Sequence, residues 1–245
     1  MDHHILTKDK DPMGAAIAEY HRTGRAGKLI VHSPQFDDDE IPVKTLFRKF
    51  AQMPALEKET LKMAGGRILD VGGGSGCHSL ALQEMGKEVC AIDISPLSVE
   101  TMQERGVKDA RLVNLFDPSL TDTFDTILML MNGSGIIGRI AGMGEFFVRI
   151  RQMLRPGGCV LMDSSDLKYL FEEEDGSFLI DIAGSYYGEV DFSMQYKGIS
   201  GDPFSWLYVD FQTLSLYAAE YGFEAELVRE GAHYNYLAKL TSKKY

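Results

Sequence analysis

The chain has 245 residues, 44% of them hydrophobic, enough for one core and consistent with one domain plus embellishments. Its 25 Lys and Arg stand against 36 Asp and Glu, a net charge of −11 with no basic cluster, which argues against a nucleic-acid substrate. The three cysteines lack CxxC spacing, so neither disulfides nor a zinc site is expected, and no apolar run is long enough for a signal peptide or membrane span, so a cytoplasmic protein without a membrane partner is expected.

In chain order, Asp11 and Pro12 open a helix, a capping residue followed by proline at the first helical position. It continues from Met13 to about Arg22 and can stop at Gly24. The acidic run Asp37–Glu40 reads as a solvated loop. Pro42 starts a second predicted helix with Val43, Leu46, Phe47 and Phe50 on one face, and Pro54 a third that ends at Gly65 and Gly66. Residues 1–65 are therefore expected to form a helical segment packed on the core.

The stretch from Arg67 to Leu82 reads as a short apolar strand (67–71), a glycine turn and a helix over 76–85. A second apolar strand, 88–93, ends in Asp93, and a helix follows from Pro96 to Gly106. A strand running straight into a helix leaves a crevice with unpaired N–H groups and partial positive charge. Glycines at 72, 74 and 76 permit the tight turn and let a ligand approach the main chain. An acid ending the next strand suits the hydroxyls of a ribose. A dinucleotide fingerprint, Gly-x-Gly-x-x-Gly, needs its third glycine where this chain has Cys77. Asp70 before the turn would repel a pyrophosphate but suits the amino group of a methionine tail. The spacing thus favours S-adenosylmethionine over NAD.

These residues resemble the class I S-adenosylmethionine-dependent methyltransferases. Arg67–Gly76 resembles that family's first motif, Ala91–Pro96 its second, and Arg155–Gly158 the turn before its fifth strand; the resemblance covers roughly 66–163 and 208–242. Gly73 departs from the alanine, cysteine or threonine usual between the glycines. The resemblance implies an α/β, Rossmann-like seven-stranded sheet, mostly parallel with a C-terminal antiparallel hairpin, in a cofactor domain spanning 66–245. It places Asp93 on the ribose with Ile94 beside it, and Asp70, Gly72 and Gly74 on the methionine moiety. Asn114, Leu115 and Phe116, past the third strand, would flank the adenine. Met131 would lie near the methyl group.

Farther along, strands are predicted at 110–114, 124–131 and 159–163, with a helix over 143–154 between the last two. Strands separated by helices imply parallel pairing. A helix over 213–221 precedes strands 223–229 and 234–240, whose short connection implies an antiparallel pair. Residues 164–207 exceed the minimal fold. Period-two alternation over 188–197, a turn at 198–203 and a return strand over 204–208 predict an inserted β-hairpin on the substrate side. Its Tyr186, Tyr187, Tyr196 and Trp206 are candidates to line the acceptor and could enclose a flat or cationic compound.

No motif announces a catalytic base. Asn132 at the tip of the fourth strand, His78 in the first turn after the glycines, and Asp163 at the end of the fifth strand are the candidates. Only the asparagine matches the Asn/Asp-Pro-Pro-Tyr/Phe motif of base-methylating enzymes, and no metal-binding cluster is visible. The reading is metal-independent methyl transfer from S-adenosylmethionine to a small molecule, driven mainly by positioning. The alternatives are a non-catalytic S-adenosylmethionine-binding module and an NAD-dependent Rossmann oxidoreductase. Neither the acceptor atom nor the oligomeric state follows from the residues.

Overall fold

A computed structural model describes residues 4–172, 175–179 and 184–243. Helix α1 (Pro12–Thr23) is capped by the Asp11 carboxylate, which accepts from Gly14 N, and ends at Gly24 with φ +70°. Strands β1 (Leu29–His32) and β2 (Asp39–Ile41) follow, then short 3-10 turns at Val43–Phe47 and Phe50–Gln52, and helix α2 (Ala55–Met63). The nucleotide fold alternates as β3 (Arg67–Val71), α3 (Cys77–Glu84), β4 (Glu88–Asp93), α4 (Pro96–Glu104), β5 (Ala110–Leu112), β6 (Phe124–Met129), α5 (Met143–Met153) and β7 (Leu154–Ser165). Then come β8 (Glu189–Tyr196), β9 (Ile199–Ser200), β10 (Phe204–Leu207), α6 (Phe211–Glu220), β11 (Phe223–Glu230) and β12 (Asn235–Ser242).

The main sheet has seven strands in the order β11-β12-β7-β6-β3-β4-β5. The pairs among β3, β4, β5, β6 and β7 are parallel, and β12 pairs antiparallel with both β7 and β11. This is the expected mostly parallel sheet with a C-terminal hairpin. From β3 the chain winds outward to β4 and β5, then returns to β6 on β3's other side. That reversal opens a crevice beyond the carboxyl ends of β3 and β6, where ligands of open α/β sheets bind. The core beneath it is apolar on both faces: Phe146, Phe147 and Ile150 of α5 are buried on one, Leu56, Leu61 and Leu82 on the other.

A second sheet of five strands runs β10-β8-β1-β2, with β9 on β8. The inserted hairpin is present, since β10 pairs antiparallel with β8. Its other edge takes β1 from the N-terminal segment, with Val31 opposite Met194. Residues 1–65 are thus not helical throughout. The helix expected from Pro42 is also corrected: Val43 and Leu46, buried at i and i+3, fit a 3-10 turn as well as an α-helix, and Arg48 is extended. Among the described residues no helix is long and apolar enough to cross a membrane.

Candidate active site

The glycine turn divides its glycines between two tasks. Gly72, Gly74 and Gly76 have φ of +70°, +56° and +82°, where L side chains are strained. A Cβ on Gly74 would meet nothing nearer than Gly72 O at 3.9 Å, and one on Gly72 only Ile136 Cδ1 at 3.4 Å. Both therefore face open space in the cleft, a cradle that a side chain would fill. Gly73 and Gly76 face inward instead: a Cβ would approach Met102 Sδ to 2.7 Å at the first and Val107 Cγ2 to 2.9 Å at the second. That packing accounts for Gly73 where relatives of the motif carry a larger residue.

Asp93 is held by the turn it faces. Its Oδ2 accepts from Gly74 N at 2.8 Å and its Oδ1 from Ser95 N at 2.9 Å. Burial pushes its carboxyl up to about 6, against those N–H bonds. Asp11 supports the arrangement from the N-terminal segment. Its Oδ1 caps α1 through Gly14 N at 2.8 Å, and its Oδ2 accepts from Ser95 Oγ at 2.6 Å, where Ser95 is the N-cap of α4. Leu6 N donates to Ile94 O at 2.9 Å. Ile94 itself is partly exposed at the rim.

Deeper in the site, Asp70 is buried and accepts from Ser79 Oγ at 2.5 Å, and burial raises its carboxyl. Beside it His78 Nε2 lies 2.9 Å from Glu57 Oε2, and Arg48 reaches the same carboxylate at 3.1 and 2.5 Å. Past β5, Asn114 Oδ1 accepts from Phe116 N at 2.9 Å, folding Asn114, Leu115 and Phe116 into a tight turn against the cleft. Past β6, Met131 and Asn132 take left-handed φ of 68° and 57°. Asp70, Gly72, Gly74, Asp93, Ile94, Asn114, Leu115, Phe116 and Met131 all border one cleft of about 1870 Å³. That cleft continues to the second sheet, where it meets Phe192, Phe204, Trp206 and Tyr208.

Over the full length of both chains, the protein is 66% identical to an S-adenosylmethionine-dependent methyltransferase from Bacteroides fragilis, solved in complex with S-adenosyl-L-homocysteine, with a TM-score of 0.95. The chain belongs to the S-adenosylmethionine-dependent methyltransferases. Residues 69–160 match the family described as methyltransferase domain. The chain is also 30% identical over 105 residues to the cypemycin N-terminal methyltransferase of Streptomyces sp, a match spanning 42% of this chain and 43% of that protein. It is 28% identical over 130 residues to the ubiquinone biosynthesis O-methyltransferase of Nitrobacter winogradskyi, spanning 51% and 46% respectively. The chain thus spans less than half the length of either of these two relatives.

Within this methyltransferase the three catalytic candidates occupy different situations. Asn132 borders the cleft, its Oδ1 accepting from Ser165 Oγ at 2.8 Å. His78 also borders it, with Nε2 committed to Glu57. Asp163 lies behind the wall: its Oδ1 accepts from Gly133 N at 3.0 Å and braces the 132–133 turn, and burial pushes its carboxyl up to about 6. Of the four aromatic residues expected to line the acceptor, Trp206 borders the cleft. Tyr186, Tyr187 and Tyr196 do not, because their hydroxyls are taken elsewhere. Tyr186 and Tyr187 donate to Asp210 and Asp166 at 2.7 and 2.8 Å, and buried Tyr196 donates to Glu19 at 2.9 Å under α1. Phe192, Phe204 and Tyr208 take their place, and the period-two spacing of 204, 206 and 208 carried that signal.

Trp206 packs on the turn that follows Asn132. A Cβ on Gly135 would fall inside the indole ring. Gly135→Ala is therefore expected to displace Trp206, lowering acceptor turnover at least tenfold while S-adenosylhomocysteine affinity stays within about twofold. Parallel calorimetry and methyl-transfer assays check the split; equal losses in both would show that the indole does not act on the acceptor side.

Proposed function

We propose that this protein transfers a methyl group from S-adenosylmethionine to a small-molecule acceptor, without a metal ion. The single cleft running from the glycine turn to the aromatic face of the second sheet carries this reading. It offers a nucleoside end at Asp93 and residues 114–116, a methionine end at Gly72, Gly74 and Asp70, and an acceptor half beyond Asn132. Bound there, S-adenosylmethionine supplies an electrophilic methyl on a sulfonium with a neutral thioether as leaving group. The chain's contribution is positioning: the cradle fixes one partner, the second sheet fixes the other, and both lose freedom before reaction. Among the described residues no group of three His, Cys, Asp or Glu side chains could hold a metal ion. The complex of the 66%-identical relative with S-adenosylhomocysteine supports the cofactor assignment.

Isothermal titration with S-adenosylhomocysteine and with NAD tests the cofactor, and turnover of S-adenosylmethionine with metabolite fractions in the presence of a chelator tests the rest. Binding of NAD in place of S-adenosylhomocysteine would overturn the assignment. Binding without turnover in any fraction would leave a cofactor-binding module.

Acidity gives a second check. The Asp93 and Asp163 carboxyls, ordinarily near 3.8, are raised to about 6 by burial. A raised folded value means that the stability gained on protonation is complete below the ordinary value and is lost as pH rises through 6. The cofactor-free protein should therefore melt several degrees higher at pH 5.5 than at pH 7.5. The extra stabilisation by S-adenosylhomocysteine should shrink over the same step, because a protonated Asp93 accepts ribose hydroxyls poorly. Melting curves at both pH values, with and without ligand, test this; a ligand shift that grows on acidification would remove Asp93 from the ribose.

A further inference from the structure

The acceptor half of the cleft is one face of the second sheet, and its register places an acid on an aromatic surface. Phe204 lies opposite Phe192, Val31 opposite Met194, and Asp39 opposite Val31. All of these, with Trp206, border the cleft. The rings form a connected group: Phe204 and Phe192 have centroids 6.1 Å apart, and Phe204 meets Trp206 edge to face at 6.0 Å. Such a face binds a flat apolar body, and its ring faces attract a cation.

The charges on this wall are one-sided once their pairing is counted. Two cationic side chains of the Lys and Arg type border the cleft among the described residues, and both are neutralised. Lys10 pairs with Asp202 at 2.6 Å, and Arg139 pairs with Glu189 at 3.0 Å and Asp191 at 2.6 Å. Asp38 pairs with His32 at 2.8 Å. No cationic side chain among the described residues pairs with Asp37 or Asp39, both on the cleft, and Asp39 Oδ1 accepts only from the neighbouring Glu40 N at 2.7 Å. An acceptor bearing a phosphate or carboxylate would meet carboxylates with no unpaired Lys or Arg among the described residues to offset them. A protonated amine would meet both the ring faces and the unpaired acids.

Resting on the methyltransferase reading above, we propose that the acceptor binds as a protonated amine with a flat apolar body, stacked on Phe192, Phe204 and Trp206 with its charge toward Asp37 and Asp39; a nitrogen that takes the methyl first gives its proton to solvent. The two partial relatives, named as a cypemycin N-terminal methyltransferase and a ubiquinone biosynthesis O-methyltransferase, do not make this choice. The wall does, through its surplus of acid over an aromatic face.

Trp206 is the chain's single tryptophan, so its fluorescence reports on this wall alone. The full chain saturated with S-adenosylhomocysteine is titrated with 4-phenylbutylamine, 4-phenylbutanol, 4-phenylbutyrate and phenyl phosphate. The amine is expected to give a saturable response at least tenfold tighter than the alcohol, and the two anions none. In the Asp37→Asn, Asp39→Asn double variant the amine should fall to the level of the alcohol, whose own affinity stays unchanged. An anion that binds as well as the amine, an amine advantage that survives the double variant, or no saturable amine response would each overturn the proposal. Calorimetry with S-adenosylhomocysteine on the same samples separates the two levels: lost cofactor binding overturns the methyltransferase reading, whereas intact cofactor binding with no amine preference overturns this inference only.

Discussion

Asp93→Ala is expected to weaken S-adenosylhomocysteine binding about a hundredfold while the protein stays folded. Both oxygens of this carboxylate are oriented by backbone donors, Gly74 N on Oδ2 and Ser95 N on Oδ1. The group cannot rotate away, and its remaining lone pairs face the cleft, where two ribose hydroxyls can donate. Hydrogen bonds to a charged acceptor contribute about 1.5–3 kcal/mol each, so losing a pair costs about 3 kcal/mol or more, two orders of magnitude in affinity. Asparagine should not rescue the loss, because its NH2 group must face one of the two backbone N–H donors. Calorimetry on wild type, Asp93→Ala and Asp93→Asn, with circular dichroism as a check of folding, gives the answer. A change below threefold in a folded Ala variant would mean that the ribose is held elsewhere.

What the residues disclosed in advance and what they concealed divides along the range of the interaction. The glycine turn, the strand before it and Asp93 form one local unit whose spacing is chemical, so the meeting of Asp70, Gly72, Gly74 and Asp93 at one cleft was legible. That the tips at 114–116 and Met131 border the same cleft followed from the alternation of strands and helices. The second sheet was only half legible. The hairpin β8–β10 announced itself by period-two alternation, but β1 pairs with a strand more than 150 positions away, and nothing local marks Leu29–His32 as the missing edge. The aromatic wall shows the same limit. Tyr186 and Tyr187 are neighbours that converge on Asp210 rather than on the cleft, and Tyr196, though on the same strand face as Phe192 and Met194, lies far enough along β8 to be covered by α1. Asp11 reads as a helix cap, which it is, yet its second oxygen supports Ser95 and so the loop that carries Asp93. Capping signals in a sequence show one partner of a carboxylate and hide the other.

Glu57 is the strongest case of such concealment, and its removal carries the largest expected effect on stability. It is buried on α2 and bridges Arg48 of its own segment to His78 at the first turn of α3, with side-chain exposures of 11%, 9% and 7% for Arg48, Glu57 and His78. Burial pushes the Glu57 carboxyl up, and the hydrogen bonds from His78 and Arg48 bring it below the usual carboxylate range. Burial likewise works against a charged His78, but Cys77, Glu57 and Asp70 outweigh it and raise the ring's pKa. Glu57→Gln leaves two buried cations facing a neutral amide. Breaking a buried pair from one side costs about 3–5 kcal/mol, and a chain of this size loses roughly 10 °C in melting temperature for that cost. The matched control is Glu59→Gln, whose partner Arg229 and own side chain are 45% and 35% exposed, so its loss should stay under about 1 kcal/mol. The sign with pH is fixed as well. A raised histidine contributes stability that is complete below its ordinary value of 6.5 and is lost as pH rises through the folded value. Wild type should therefore lose stability as pH rises through the alkaline range, and in Glu57→Gln that loss should begin at lower pH because His78, still raised by Cys77 and Asp70, sheds its proton earlier. Nuclear magnetic resonance of the imidazole in both proteins tests the cause directly. If His78 titrates alike in the two, or if Glu57→Gln melts like Glu59→Gln, the buried bridge does not fasten the N-terminal segment to the cofactor turn.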